Sequence, residues 1–249
     1  MATLSYSVAV ASIQQHLFSV SLHIPAQQSA GPLRLTLPSW IPGSYMIRDF
    51  ARNITQISAH FDDGGVAPLF KEDKQTWLVD AKSMSVTVSY QVFAFDLSVR
   101  SAYINDEYAF FNGTSVFLAV EGMEDSPCEM TITSPLRDGD GIYTSMPHVG
   151  NATYRCDNYA EIIDHPVVIG QADTGNFNVD GVTFTLLFTG SNNTDIQRIC
   201  EDLAPVCSHH LTLFGKPYPV DNYLFMTLLS FSNKNLNGMA SIGELAVLP

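Results

Sequence analysis

Positive charge is scarce in this 249-residue sequence: 12 Lys plus Arg stand against 25 Asp plus Glu, a formal net charge of -13. A surface this acidic repels phosphate backbones and anionic lipid, so no nucleic-acid and no membrane-surface partner is expected. Weak steering of cationic groups, such as a free peptide amino terminus, is what it favours. Long hydrophobic runs are missing too. None reaches the roughly 18 to 20 residues that span a bilayer. The N-terminal Met1-Ala-Thr-Leu-Ser-Tyr6 has neither a basic n-region nor an apolar h-region, so no secretory signal is visible and a cytoplasmic location is expected. Cysteine is sparse: Cys128, Cys156, Cys200 and Cys207 fit no disulfide framework and no zinc ribbon, and read as reduced thiols. The N-x-S/T sequons at Asn53, Asn112, Asn151 and Asn192 then read as chance matches.

Catalytic signatures are absent as well. There is no G-x-S-x-G elbow, no phosphate-cradling Gly-rich loop and no G-x-G-x-x-G. None of the histidines is followed by Glu, which excludes H-E-x-x-H, the arrangement that holds zinc between two histidines one helical turn apart. No catalytic residue, metal ligand or cofactor is therefore assigned to this chain.

What is present is a globular composition, 46% hydrophobic and 15% charged with mean hydropathy +0.09. Phe18, Val20, Leu22 and Ile24 alternate with Ser19, Ser21 and His23, the period-2 signature of a half-buried strand. Leu33, Leu35 and Leu37 repeat it, as do Val86, Val88, Tyr90 and Val92, and Met130 with Ile132. Turn formers separate these runs at 25–32, at Asp62-Asp63-Gly64-Gly65 and at Arg137 to Gly141. The pattern predicts a mainly β fold, an antiparallel β-sandwich over 1–171.

From 172 to 249 the character changes. Val182, Phe184, Leu186 and Phe188 make another alternating strand. A helix follows, with Thr194 as cap and Gln197 completing a capping box. Its buried face is Ile196, Ile199, Cys200, Leu203, Val206, Cys207, His210 and Leu213, and it stops at Gly215. Pro205 predicts a kink or restart. Tyr223 to Phe231 is then an apolar strand buried on both faces. Strand, helix, strand suggests a right-handed crossover opening a second, α/β-type domain.

Candidate chemistry is thin. Cys200 and Cys207 share a helix face, but at 1.5 Å rise per residue their sulfurs lie roughly 10 Å apart, too far to hold one ion with His209 or His210. Asp164 and His165 are adjacent and point to opposite faces of an extended chain, which argues against a catalytic pair. Asp106-Glu107 and Glu124-Asp125 read as solvated loop charges, and Trp40 and Trp77 as core or interface anchors. More specific is L-P-S-W-I-P-G-S-Y-M-I-R-D-F-A-R-N, Leu37 to Asn53. Its prolines and glycine force a turn, its aromatics anchor it, and Arg48, Asp49 and Arg52 can form an ion-pair cluster, so a rigid loop is expected, structural or functional.

That loop resembles the N-terminal hallmark of the glycyl-aminopeptidase family, family sixty-one of the metallopeptidases. Four collinear segments resemble the same family: Ser98 to Tyr103, Phe110-Phe-Asn-Gly-Thr114, Tyr159-Ala-Glu-Ile-Ile-Asp-His-Pro-Val167 and Asp221 to Phe225. The resemblance implies a β-sandwich packed on a thermolysin-like zinc domain, with peptide substrates and zinc in complete members. It also implies a later G-G-x-E-H edge strand and H-E-x-x-H. Asn237-Gly238-Met239 aligns with the start of the former, but the Glu-His pair does not follow. A truncated or frame-shifted, catalytically inactive product is thus expected, with 172–249 the incomplete start of the catalytic domain. Tyr45, Arg48, Asp49, Phe111, Asn112, Gly238 and Met239 are the candidate cleft-facing residues. The apolar strand, uncovered by a missing zinc domain, is expected to promote self-association. The competing reading is a non-enzymatic β-sandwich that binds peptides or proteins.

Overall fold

The computed structural model describes residues 2–27, 31–41, 44–230 and 241–247, with Ser230 and 241–247 described by backbone alone. Its largest sheet has eight strands, in the spatial order His148–Gly150, Thr153–Cys156, Cys128–Ser134, Leu4–Ser12, Leu17–Ile24, Val86–Phe93, Ile54–Phe61 and Val66–Ala67. Neighbours run antiparallel except Leu4–Ser12 beside Cys128–Ser134. The predicted alternation sets its buried face: Val8 pairs with Val20 and Val20 with Tyr90, Tyr6 with Leu22 and Leu22 with Val88. All of these side chains are buried, and each large apolar one contributes about 1.5–3 kcal/mol by leaving water.

Two four-stranded sheets complete this core. One is Gly141–Tyr143, Val167–Gly170, Tyr108–Phe111 and Ala102–Ile104; the other is Ala119–Val120, Leu33–Thr36, Thr76–Val79 and Leu69–Lys71. The first shows no alternation in sequence because it is buried on both faces. Ala109, Phe111, Val167 and Ile169 join the large core, while Tyr108, Phe110 and Val168 face Leu187, Leu224, Met226 and Leu228. The mainly β, antiparallel expectation is met.

The fourth sheet is Ala172–Val179, Val182–Thr189, Asn222–Ser230 and Ser241–Val247, and its middle pair is parallel, as strand–helix–strand demands. The intervening helix, Ile196–Phe214, rests against Ala172–Val179. Gly175 permits the close approach, since a Cβ there would lie 2.3 Å from Ile196 Cγ2. Three details depart from the sequence reading. The N-cap is Asp195, whose Oδ1 accepts the Arg198 N–H at 3.2 Å, whereas Thr194 N–H bonds Asn192 Oδ1. A carboxylate suits the positive end of the helix dipole. Pro205 brings no restart, because it lies on the exposed side, where water can satisfy the Glu201 carbonyl. Val206, His210 and Leu213, expected inside, are exposed; Cys200, Cys207 and Leu211 are the buried residues. Gly215 does end the helix, with φ 74°. Asp195→Ala is expected to cost about 1 kcal/mol, read as a lower urea midpoint at unchanged slope.

The strand expected to lie uncovered is covered. Leu224, Met226 and Leu228 pack on the Tyr108–Phe111 sheet, and Tyr223 and Phe225 lie under the helix. Among the described residues from 172 onward, exposed large apolar side chains lie instead on the helix, where Leu213 and Phe214 are 75% and 70% exposed.

Candidate functional site

The hallmark loop is built by its own backbone and one indole. Trp40 Nε1 donates to the Ser44 carbonyl at 2.8 Å, Ser44 N–H to Ile41 at 3.1 Å, and Arg48 N–H to Ser39 at 2.6 Å. These bonds turn Tyr45, Met46 and Ile47 outward into solvent, and Trp40 is itself 49% exposed. Of the two tryptophans, only Trp77 is a core anchor. The expected ion-pair cluster is rearranged. Asp49 accepts from Lys74 Nζ at 2.6 Å, and that ammonium, then Arg52, holds its carboxyl below the usual range. Arg48 takes no part; its Nε is buried without a hydrogen-bond partner among the described residues. Asp49, Arg52 and Lys74 border a shallow cavity of about 200 Å³.

Behind this loop the turn Phe50–Asn53 packs on the turn Gly113–Ser115, so the structure brings two of the sequence motifs together. Phe111 and Asn112, expected to face the cleft, are buried instead. Asn112 is a cap: its Oδ1 accepts the Thr114 N–H at 3.0 Å. The third motif completes the assembly, since the helix Tyr159–Asp164 packs on Gly113–Ser115. That six-residue helix, too short for a periodic signal, starts at Asn158, whose Oδ1 accepts the Glu161 N–H at 2.8 Å. Beyond the turn, Val116, Phe117 and Leu118 are fully buried outside any sheet. Their carbonyls accept from Tyr90, Tyr159 and Tyr6 hydroxyls at 2.8, 2.8 and 2.9 Å. Gly238 and Met239 lie outside the described residues.

A side-chain cluster that sequence reasoning missed runs along the short helix, from Cys156 just before it through Glu161 in its first turn to His165 at its C-cap. Donor atoms of Cys156, Glu161 and His165 all fall within 4.8 Å of one another. His165 Nδ1 is 2.6 Å from Ser145 Oγ, and its Nε2 is 3.9 Å from Glu161 Oε1. Burial pushes the His165 pKa down, favouring neutral imidazole, and pushes the Cys156 thiol up. The i, i+4 spacing of Glu161 and His165 was a legible signal; that the chain folds back so that Cys156, at the end of the preceding strand, meets them was not. Asp164, by contrast, points to solvent. Cys200, Cys207, His209 and His210 do not form such a cluster among the described residues.

An apolar cavity of about 570 Å³ lies between the long helix and the fourth sheet, with Leu203, Cys207, His210, Leu211, Tyr223 and Phe225 among its walls. It holds no convergent polar groups and suits packing better than chemistry.

Residues 5–171 match the family model described as the peptidase M61 N-terminal domain. Among solved structures, an aminopeptidase N family protein from Idiomarina loihiensis is 38% identical, with a TM-score of 0.86 over 90% of this chain and 39% of its own. An M1 zinc metallopeptidase from Deinococcus radiodurans matches 90% of this chain and 55% of its own at 9% identity and TM-score 0.54. Aminopeptidase A from Legionella pneumophila, solved in complex with aspartic acid, matches 90% and 28% at 9% identity and TM-score 0.53. These last two likenesses show the fold alone. A comparison with curated proteins gives no match. The chain thus spans about two-fifths of the length of the Idiomarina relative.

Proposed function

The chain belongs to the peptidase M61 N-terminal domain family, and from that premise we propose that it is the N-terminal part of a glycyl-type zinc aminopeptidase. In this reading 1–171 is the β-sandwich domain and 172–249 begins the thermolysin-like catalytic domain. One observation carries it: 38% identity to the Idiomarina protein extends over 90% of the chain, past the family model's last residue at 171 and into the strand–helix–strand unit. The zinc of such enzymes does not fit residues present here, because no H-E-x-x-H occurs in the sequence. No hydrolytic step is assigned to this chain, which by itself leaves peptides uncleaved.

Its contribution is architectural. The loop carrying Tyr45, Arg48 and Asp49 would form a wall of a peptide cleft, with Tyr45 exposed toward solvent and Arg48 Nε buried beneath it. Phe111 and Asn112 act from behind, holding the turn on which the loop rests. The apolar end of the long helix, with Leu213 and Phe214, is where copies of the chain would self-associate. A cytoplasmic location belongs to the same proposal.

The exposed Tyr45, Met46 and Ile47 also favour a second reading, a peptide- or protein-binding module acting without chemistry. Purified chain is expected to give no chelator-sensitive hydrolysis of glycyl or alanyl chromogenic substrates, with or without added zinc. Turnover that co-elutes with the chain and disappears with chelator overturns the proposal. Saturable peptide binding without turnover selects the binding module.

A further inference from the structure

We propose that Cys156, Glu161 and His165 form a zinc-binding site that clamps the short helix Tyr159–Asp164 to the end of the strand Thr153–Cys156. The donor set is one thiolate, one imidazole and one carboxylate, the mixture that zinc accepts in tetrahedral sites with a water in the remaining position. Bonds of about 2.0–2.3 Å place tetrahedral ligands roughly 3.3–3.7 Å apart. The donor atoms here lie within 4.8 Å, and His165 Nε2 is 3.9 Å from Glu161 Oε1, so side-chain adjustment of about 1 Å closes the site. On binding, the Cys156 thiol proton is released to solvent.

The surroundings of these side chains are those of a supported ligand set. Ser145 Oγ lies 2.6 Å from His165 Nδ1 and orients the ring; in the tautomer where Nδ1–H donates to this hydroxyl, the Nε2 lone pair is the one that binds the ion. Glu161 Oε2 accepts the Asp157 N–H at 2.5 Å, orienting the carboxylate while Oε1 faces the histidine. Cys156 is buried, and its backbone is held in the strand ladder opposite Cys128. Side-chain exposures of 16% for His165 and 36% for Glu161 leave a route for the ion to enter. This proposal stands on local geometry and is independent of the aminopeptidase reading.

The test uses the full chain, reduced and stripped with chelator, titrated with Co(II) and then with Zn(II) alone. One equivalent is expected to bind, with a thiolate-to-Co(II) charge-transfer band that Zn(II) abolishes. At a hundredfold excess over Kd, zinc is expected to raise Tm by about 5–10 °C. Cys156→Ser is expected to remove the band and weaken zinc at least about a hundredfold. Ser145→Ala is expected to weaken it about tenfold while keeping the band. Cys200→Ser serves as the unchanged control. Zinc absorption-edge spectroscopy of the wild-type chain makes the result independent of variant folding, with one sulfur at about 2.3 Å expected. Absence of 1:1 binding, a sulfur-free zinc environment or undiminished binding by Cys156→Ser overturns the proposal.

Discussion

Replacing Gly113 by alanine is expected to destabilise the chain by about 3 kcal/mol or more, the upper range for overpacking. A Cβ at this position would lie 2.8 Å from both the Ile162 carbonyl oxygen and Ile163 Cα, and 3.0 Å from Phe117. Two of those neighbours are backbone of the short helix, so no rotamer change relieves the clash. The helix would have to move away, loosening the seat of Tyr159 and Ile162, both buried in the main core. Gly31 is the matched control: a methyl group added there would meet no atom within 4 Å, and Gly31→Ala is expected to stay within about 0.5 kcal/mol. Urea denaturation of the two variants decides the matter. A Gly113→Ala loss below about 1 kcal/mol would mean that the helix is not held against this turn.

Tyr90→Phe is expected to have the next largest effect. The Tyr90 hydroxyl donates to the Val116 carbonyl at 2.8 Å and accepts the Leu118 N–H at 3.3 Å, so its removal leaves two buried backbone groups unpaired. Each such group costs about 1–3 kcal/mol. Tyr159→Phe and Tyr6→Phe each orphan a single carbonyl, so the expected order of loss is Tyr90 first and the other two behind it. Burial also raises all three phenol pKa values in the folded chain. The unfolded chain, with phenols near 10, loses these protons first as pH rises. Stability contributed by the three phenols is therefore full below about pH 10 and declines above it, toward the raised folded values. Denaturation midpoints at pH 8 and pH 10.5 measure this, and an alkaline loss that persists undiminished in Tyr90→Phe would refute the tyrosine's share in it.

These two predictions involve the segments Phe110 to Thr114 and Tyr159 to Val167, both carriers of the family resemblance. Their spacing in sequence does not disclose that they meet. A polar Asn-Gly turn beside aromatics has the composition of a binding loop, which is why Phe111 and Asn112 are expected at a cleft from sequence. In the fold, Asn112 spends its side chain on the Thr114 N–H and Phe111 packs edge-on against Phe18.

Sequence alone determined the elements whose signal is local. Alternation of period two marked Leu17–Ile24, Val86–Phe93 and Val182–Thr189, and periodicity of three and four marked Ile196–Phe214. The absence of H-E-x-x-H was complete by inspection, and the collinear motifs pointed to the family that the match over 5–171 establishes. Tertiary structure alone decided which side chains meet. The Tyr108–Phe111 and Val167–Gly170 strands carry no alternation because both faces are buried, and burial on a second face depends on another sheet arriving. Glu161 and His165 are neighbours by helical spacing, but Cys156 and Ser145 join them only through the seating of the short helix against the rest of the fold. Local pattern fixes the period of an element; long-range packing fixes its neighbours, and chemistry depends on neighbours.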